Sequence, residues 1–134
     1  MTNHEPIRVM LADDDEGFLA SLRELVDRQP ELRVVGVALD GVEAVELADR
    51  VEPDAAVIDL HMPRLDGAAT IARLRRQQPG LCLIALTGDP DPRLHATVLR
   101  AGADAVLAKG ELVTALLERL ARVDPRRSRA TGTG

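Results

Sequence analysis

The sequence predicts an α/β domain: a five-stranded parallel sheet in the strand order 2-1-3-4-5, with helices on both faces. Five short apolar segments alternate with five segments of helical apolar periodicity. Several apolar segments are continuous and do not alternate with polar residues, which is typical of strands covered on both faces. The chain has 134 residues, enough for one domain with a full core. Right-handed crossovers favour the order 2-1-3-4-5 for five such units.

The first two strand–helix units follow from apolar runs, helical periodicity and proline. A run of β-forming residues predicts a strand at 7–11, and one apolar stripe predicts a helix at 16–29, which a proline ends. The apolar segment 32–38 predicts the second strand. Asp40 is a predicted N-cap, and the helix that it begins stops before Pro53.

The third unit begins with the apolar strand 55–58 and continues with a helix at 66–78. Ile71 and Leu74 are predicted to face inward on this helix. The arginines at positions 73, 75 and 76 are predicted to point largely outward. A Pro-Gly pair follows and ends the helix.

The last two units complete the alternation. The sequence predicts a strand at 81–86, a helix at 92–101 that Gly102 stops, a short strand at 105–107 and a final helix at 111–123. Five strand–helix units are therefore expected in all.

Composition bounds the domain and excludes several classes of protein. The net charge of −5 argues against non-specific binding to nucleic acid or to an anionic membrane. No segment is apolar enough for a membrane span or a signal peptide, so we expect a cytoplasmic protein. The single cysteine, Cys82, lies in an apolar run and is predicted to be a buried thiol. The domain is expected to span 1–124, and residues 125–134, which lack apolar content, are predicted to form a disordered tail.

Polar residues stand at the carboxyl ends of four of the predicted strands. Asp13 and Asp14 follow strand 1, Asp59 follows strand 3, Thr87 ends strand 4 and Lys109 follows strand 5. In a sheet of this order these strands are neighbours, and ligands bind beyond their carboxyl ends. We therefore expect these five side chains to converge on one crevice.

Three carboxylates in one crevice repel each other unless a cation lies between them. Carboxylate oxygens with room for water suit Mg²⁺, so Asp13 and Asp14 are predicted to face a metal ion. The next two acids have another explanation. Asp15 is a predicted N-cap of the first helix, and Glu16 lies in its first turn, where the helix dipole favours negative charge.

Asp59 is the candidate nucleophile, because a carboxylate can accept a phosphoryl group as an aspartyl phosphate. The metal, the Thr87 hydroxyl and the Lys109 ammonium can then share the phosphoryl oxygens and neutralise their charge. Lys109 is the only lysine among 17 basic residues. A compact ammonium on a flexible stem suits this task better than a planar guanidinium.

Four motifs together point to a known family. LADDDEGF, VIDLHMPRLDG, ALTG and RAGADAVLAK occur in this order within about residues 6–123. With these motifs the chain resembles the receiver domain of two-component response regulators. The resemblance implies a Mg²⁺-dependent signalling domain that a sensor histidine kinase or a small phosphodonor phosphorylates in a phosphorelay. Such a domain catalyses only its own phosphorylation and dephosphorylation.

The resemblance also implies roles for single residues. Asp59 would be the phosphoryl acceptor, and Thr87 and Lys109 would hold the phosphoryl group. The implied metal ligands are Asp14 and Asp59 directly, Asp13 through water, and His61 through its backbone carbonyl.

Further positions tune the implied chemistry or depart from the family pattern. His61 and Asp89 flank the path of the attacking water and are expected to set the lifetime of the phosphate. Val106 stands where many receivers carry an aromatic residue that turns inward, so we expect the signal to be read out through backbone shifts or altered packing. Gly110 stands where many receivers have proline, as in receivers that precede a helix-turn-helix DNA-binding domain of the LuxR type. The chain is therefore expected to be either a stand-alone receiver or one excised from such a regulator.

The expected downstream partner would bind the last two helices and the strand between them, about residues 92–123. The sequence leaves open whether that partner is a second copy of the chain in a homodimer, an enzyme or a transcription factor. Neither nucleic acid nor a membrane is an expected partner. One alternative is a phosphate-independent pseudo-receiver that acts as an interaction module, which Val106 favours and the complete set of acids, threonine and lysine opposes. A cobalamin-binding domain is disfavoured, because the D-x-H-x-x-G pattern that begins at Asp59 lacks its glycine.

Overall fold

Within the described residues, five parallel strands form one sheet in the order 2-1-3-4-5, which confirms the predicted fold class. The structure is a computed structural model that describes residues 5–62, 66–88, 91–109 and 112–124. The strands are β1 (Ile7–Ala12), β2 (Leu32–Ala38), β3 (Ala55–Asp59), β4 (Cys82–Thr87) and β5 (Ala105–Ala108). The helices are α1 (Glu16–Asp27), α2 (Gly41–Val51), α3 (Gly67–Gln77), α4 (Pro92–Ala101) and α5 (Leu112–Ala121). The predicted tail at 125–134 lies outside the described residues.

The strand register brings the polar carboxyl ends of the strands to one edge of the sheet. The last residue of β1 pairs with the fourth residue of β3, so that Asp13 and Asp59 follow side by side. Thr87 of β4 pairs with Ala108 of β5, which brings the next residue, Lys109, to the same edge. Residues at the carboxyl ends of β1, β3, β4 and β5 therefore lie close together at one edge of the sheet.

Two apolar cores lie on opposite faces of the sheet. Successive residues of β1 alternate between them: Met10 packs in the core beneath α2, α3 and α4, whereas Val9 and Leu11 pack in the core beneath α1 and α5. None of these three side chains is exposed to solvent. Because each face has its own core, apolar residues are required at successive strand positions, which explains the continuous apolar runs.

Aspartate side chains cap four of the helices. Each accepts a hydrogen bond from a backbone N–H two or three residues further on, and so satisfies a donor that the helix leaves unpaired. The four caps are Asp15 of α1, Asp40 of α2, Asp66 of α3 and Asp91 of α4. The two caps predicted from the sequence, Asp15 and Asp40, are confirmed.

Arg75 corrects a prediction, because its side chain does not point outward. Its guanidinium donates to the backbone carbonyls of Gly102, Leu81 and Pro79 at 2.7–3.0 Å. It also pairs with Asp104 at 2.9 Å, and only 24% of the side chain is exposed. Arg75 lies in the last turn of α3, and the carbonyls that it contacts belong to the loop after α3 and to the C-cap of α4. The guanidinium therefore joins the end of α3 to the turn between α4 and β5.

Cys82 also differs from its prediction. It begins β4 at the amino edge of the sheet and is only half-buried, beside a cavity of about 720 Å³. Burial raises the pKa of its thiol to about 11, with the nearby charge of Asp104 adding to the effect. A thiol that stays protonated at neutral pH is a poor nucleophile.

In the described part of the chain, no helix is both long and apolar enough to cross a bilayer.

Candidate functional site

The three predicted acids meet at the carboxyl ends of β1 and β3. One carboxylate oxygen from each of Asp13, Asp14 and Asp59 lies within 4.8 Å of the others. Asp13 and Asp59 are each 1% exposed, whereas Asp14 is exposed. The convergence that the sequence predicts is therefore present, with one side of the cluster open to solvent.

The loop between β1 and α1 divides its acids between two tasks. Asp13 is fixed by two hydrogen bonds: its N–H donates to Ala38 O at 3.0 Å, and its Oδ1 accepts from Asp15 N at 2.8 Å. Asp15 Oδ1 in turn accepts from Phe18 N at 3.1 Å and caps α1. Glu16 is the acid of the first turn. The prediction that Asp15 and Glu16 serve the helix end is thus confirmed.

Lys109 approaches the acids from the loop after β5. Its Nζ lies 2.8 Å from Asp13 Oδ2 and 3.5 Å from Asp59 Oδ1, and its backbone N–H donates to Thr87 O at 2.9 Å. Burial disfavours its charge, but the contact with Asp13 and the negative charges of Asp59 and Asp13 favour it more strongly, so the pKa of Lys109 is raised. The ammonium therefore remains charged at neutral pH.

The pKa of Asp59 is raised as well, for a different reason. Burial is the largest cause, and the charge of Asp13 adds to it. The hydrogen bond from His61 N to Asp59 Oδ1, at 3.2 Å, and the charge of Lys109 oppose the rise without cancelling it. Burial and the neighbouring Asp13 thus disfavour the charged form of Asp59.

Thr87 and His61 complete the described edge of the site. Thr87 is 1% exposed, and its hydroxyl oxygen lies 3.4 Å from Nε2 of the exposed His61 ring. The sequence suggested a ligand role for the His61 backbone and a role of His61 in the phosphate lifetime, but it did not indicate the contact of the ring with the threonine. Val106 is half-buried against the core beneath α4. Asp89, the other predicted tuning residue, lies outside the described residues.

Phe18 is a neighbour of the site that the sequence did not indicate. Its ring centroid lies 4.5 Å from Lys109 Nζ, a distance at which a cation is attracted to an aromatic face. In the sequence, Phe18 belongs to the apolar stripe of α1 and carries no further signal. Its position after the acidic loop was the only available hint.

The donor set fits a divalent cation. Asp13 Oδ2 is buried and accepts no well-aligned hydrogen bond from the described residues, although the Lys109 ammonium lies 2.8 Å away. Two buried carboxylates and one exposed carboxylate offer oxygen ligands together with access for water, which is the environment that Mg²⁺ prefers. A divalent cation there would also supply the positive charge that Asp59 lacks.

Comparisons with known proteins agree with this geometry. The sequence model of the response regulator receiver domain family matches residues 9–121. A protein-glutamate methylesterase/protein-glutamine glutaminase of Myxococcus xanthus is 40% identical over 107 residues, 79% of this chain and 30% of that protein. The nitrate/nitrite response regulator protein NarL of Escherichia coli is 31% identical over 109 residues, 81% of this chain and 50% of NarL. The chain therefore spans at most half the length of these two relatives.

Solved structures show the same fold. The response regulator domain of Thermotoga maritima CheB superposes with a TM-score of 0.82 at 30% identity, covering 90% of this chain and 100% of that one. The signal receiver domain of an HD domain-containing protein from Pseudomonas fluorescens superposes with a TM-score of 0.80 at 31% identity, covering 89% of this chain and 94% of that one.

Proposed function

The chain belongs to the response regulator receiver domain family, whose function is to accept a phosphoryl group in two-component signalling, and we propose that Asp59 is its phosphoryl acceptor. One observation carries the proposal: the Asp59 carboxylate is buried at the end of β3 with the Lys109 ammonium 3.5 Å from its Oδ1. Asp13 and Asp14 lie within reach of the same point, and Thr87 ends the neighbouring strand.

The proposed reaction transfers a phosphoryl group from a histidine nitrogen of the kinase to a carboxylate oxygen of Asp59. A carboxylate oxygen of Asp59 forms a bond to phosphorus, and the P–N bond of a phosphohistidine on a sensor histidine kinase breaks. The ring leaves with the electron pair of that bond as neutral imidazole, because its other ring nitrogen already carries a proton. Thr87 donates a hydrogen bond to the transferred group, and Lys109 neutralises part of its charge.

Asp13, Asp14 and Asp59 would hold Mg²⁺, with Asp13 acting through water and the backbone carbonyl of His61 as a further ligand. When bound, the ion supplies charge neutralisation for the carboxylates and the phosphoryl oxygens. Asp59 must be ionised to act as a nucleophile, whereas burial and the charge of Asp13 raise its pKa. A bound cation would favour the charged carboxylate.

The phosphoryl group would act as a switch for a partner at 92–123. Val106 has no aromatic ring to reorient, so the change would pass through the backbone of β5 and the packing of α4. We propose a receiver domain of 1–124, a tail at 125–134, and a role for His61 and Asp89 in setting the phosphate lifetime. Relatives as different as a methylesterase and NarL carry this domain, so the partner is defined here only by its docking face.

Intact-mass spectrometry tests the acceptor. Incubation with Mg²⁺ and phosphoramidate should add about 80 Da, the mass of one HPO₃ unit, to the wild-type chain. The gain should be absent from Asp59→Asn and from the wild type in EDTA. Asp49→Asn is a matched control, because Asp49 is an exposed carboxylate of α2 and should leave the gain intact. Equal labelling of Asp59→Asn, or no labelling of the wild type, would overturn the proposal.

One observation favours a second candidate, a phosphate-independent pseudo-receiver. Val106 replaces the aromatic residue that many receivers use for their switch. Such a module would bind its partner equally well in wild-type and Asp59→Asn forms, with or without phosphodonor. A difference in affinity between phosphorylated and unphosphorylated chains would exclude it.

A further inference from the structure

We propose that Phe18 is a positioning residue that holds the Lys109 ammonium at the phosphoryl acceptor, an inference that rests on the proposed function of Asp59. The chain contains one aromatic residue and one lysine, and these two side chains meet. The ammonium lies 4.5 Å from the ring centroid, within the range of a cation–π interaction.

Besides Asp59, two groups among the described residues contact the ammonium, and both come from the segment 13–18. Asp13 Oδ1 accepts from Asp15 N at 2.8 Å, and Asp15 Oδ1 accepts from Phe18 N at 3.1 Å. These two hydrogen bonds fix the start of α1 relative to the Asp13 carboxylate. The carboxylate, 2.8 Å from Nζ, and the ring therefore act on Lys109 from one short segment of the chain.

A lysine needs such support more than most cations do. Its four-carbon stem samples many rotamers, and 26% of the Lys109 side chain is exposed, so water competes for the ammonium. An aromatic face attracts the charge and limits the alternatives, whereas an aliphatic side chain of similar size does not. The ring would raise the fraction of chains in which Lys109 is ready to meet a phosphoryl group.

Phe18 also packs, half-buried, against the core beneath α1 and α5, so a purely structural role must be separated from a positioning role. Phe18→Leu keeps an apolar side chain at this place and removes the aromatic face. Phe18→Tyr restores the face. Leu25→Val removes one methylene from another half-buried position of α1 and serves as a matched packing control.

Nuclear magnetic resonance gives a direct readout of the contact. Because Lys109 is the only lysine, selective ¹³C-lysine labelling yields one set of side-chain signals. We expect the ε-protons of Lys109 to be shifted upfield by the ring current in the wild type and in Phe18→Tyr. We expect this shift to be lost in Phe18→Leu and unchanged in Leu25→Val.

Phosphorylation kinetics give the functional readout. The initial rate of labelling with Mg²⁺ and phosphoramidate should fall about two- to fivefold in Phe18→Leu, as expected for the loss of one cation–π contact. Phe18→Tyr and Leu25→Val should stay close to the wild-type rate.

The outcomes separate this inference from the proposed function. Absence of labelling in the wild type would overturn the acceptor role of Asp59, and the ring-current shift would still report whether Phe18 holds Lys109. Labelling of the wild type together with an equal rate in Phe18→Leu, or an equal loss of rate in Phe18→Tyr, would overturn the positioning role. An unshifted wild-type ε-signal would overturn it as well.

Discussion

Lys109 Nζ lies closer to Asp13 Oδ2, at 2.8 Å, than to Asp59 Oδ1, at 3.5 Å. In the unphosphorylated chain, the ammonium is therefore paired first with the neighbour of the proposed acceptor. Asp59 interacts less closely with this ammonium, although it is buried beside another acid. Burial and Asp13 thus disfavour the charged form of Asp59 in the absence of a cation.

Asp59→Asn should stabilise the chain in Mg²⁺-free buffer at neutral pH. The substitution removes a buried charge that burial and Asp13 disfavour, and it keeps the shape of the side chain. Thermal denaturation in EDTA should show a higher Tm, with each 1 kcal/mol corresponding to roughly 3–6 °C for a chain of this size. Asp49→Asn should leave Tm unchanged. A lower Tm for Asp59→Asn would show that its charge is already well compensated.

The stabilisation by Asp59→Asn should depend on pH in a defined direction. The pKa of Asp59 is raised in the folded chain from its ordinary 3.8. At pH values between 3.8 and the folded pKa, the folded state therefore binds more protons than the unfolded state. The wild-type carboxylate therefore costs stability increasingly as pH rises through its folded pKa, and costs none below the unfolded value. Urea denaturation in EDTA should show the advantage of Asp59→Asn growing over this window and then levelling. A constant advantage at all pH values would contradict the raised pKa.

Asp14 and Asp15 should respond differently to substitution, although they are adjacent and both are exposed. Asp14→Ala should abolish the stabilisation by Mg²⁺, which at ten times Kd amounts to about 1.4 kcal/mol, without lowering the stability of the metal-free chain. Asp15→Ala removes the N-cap of α1 and should cost about 0.5–2 kcal/mol, with the Mg²⁺ response retained. The measurement is Tm with and without Mg²⁺. Loss of the Mg²⁺ response in both variants would show that the acids do not divide their tasks.

The fold and the composition of the site could be predicted because local signals and topology agreed. Continuous apolar runs required two covered faces, and the parallel order then required Asp13 and Asp59 to be neighbours although 46 positions separate them in the sequence. The caps Asp15 and Asp40 followed from residue type next to a helical stripe.

The contacts that the sequence did not predict depend on where the ends of long side chains lie in the folded chain. Arg75 looks like a solvated residue of α3, and only the folded chain shows that the carbonyls of Leu81 and Gly102 lie within its reach. Phe18 looks like a core residue, because helical periodicity does not reveal that a side chain from the other end of the chain approaches its ring. Sequence periodicity specifies the face of a helix and not the partners of a flexible side chain.

Arg75→Met should destabilise the chain strongly, because it leaves several carbonyls without their donor. We expect a loss of about 2–4 kcal/mol in the free energy of unfolding, since each unsatisfied buried group costs about 1–3 kcal/mol. Arg76→Met is the matched control: Arg76 is exposed on the same turn and should change stability by less than about 0.5 kcal/mol. Urea denaturation measures both. Equal effects of the two variants would mean that the Arg75 contacts add nothing to stability.

Substitution of alanine for glycine should lower the stability of the chain at Gly67 and raise it at Gly17. A Cβ at Gly67, the first residue of α3, would lie 2.5 Å from Leu60 Cα, so Gly67→Ala must displace the backbone beside Asp59 and should cost about 1–3 kcal/mol. At Gly17, exposed in α1, the nearest atom to a new Cβ is Asp15 Oδ1 at 3.5 Å, an ordinary contact. Gly17→Ala should therefore stabilise the chain by about 0.5–1 kcal/mol through helix propensity. The rate of labelling with phosphoramidate should fall in Gly67→Ala and stay unchanged in Gly17→Ala. Unchanged stability and labelling of Gly67→Ala would show that the backbone can accommodate the new methyl group without disturbing the acceptor.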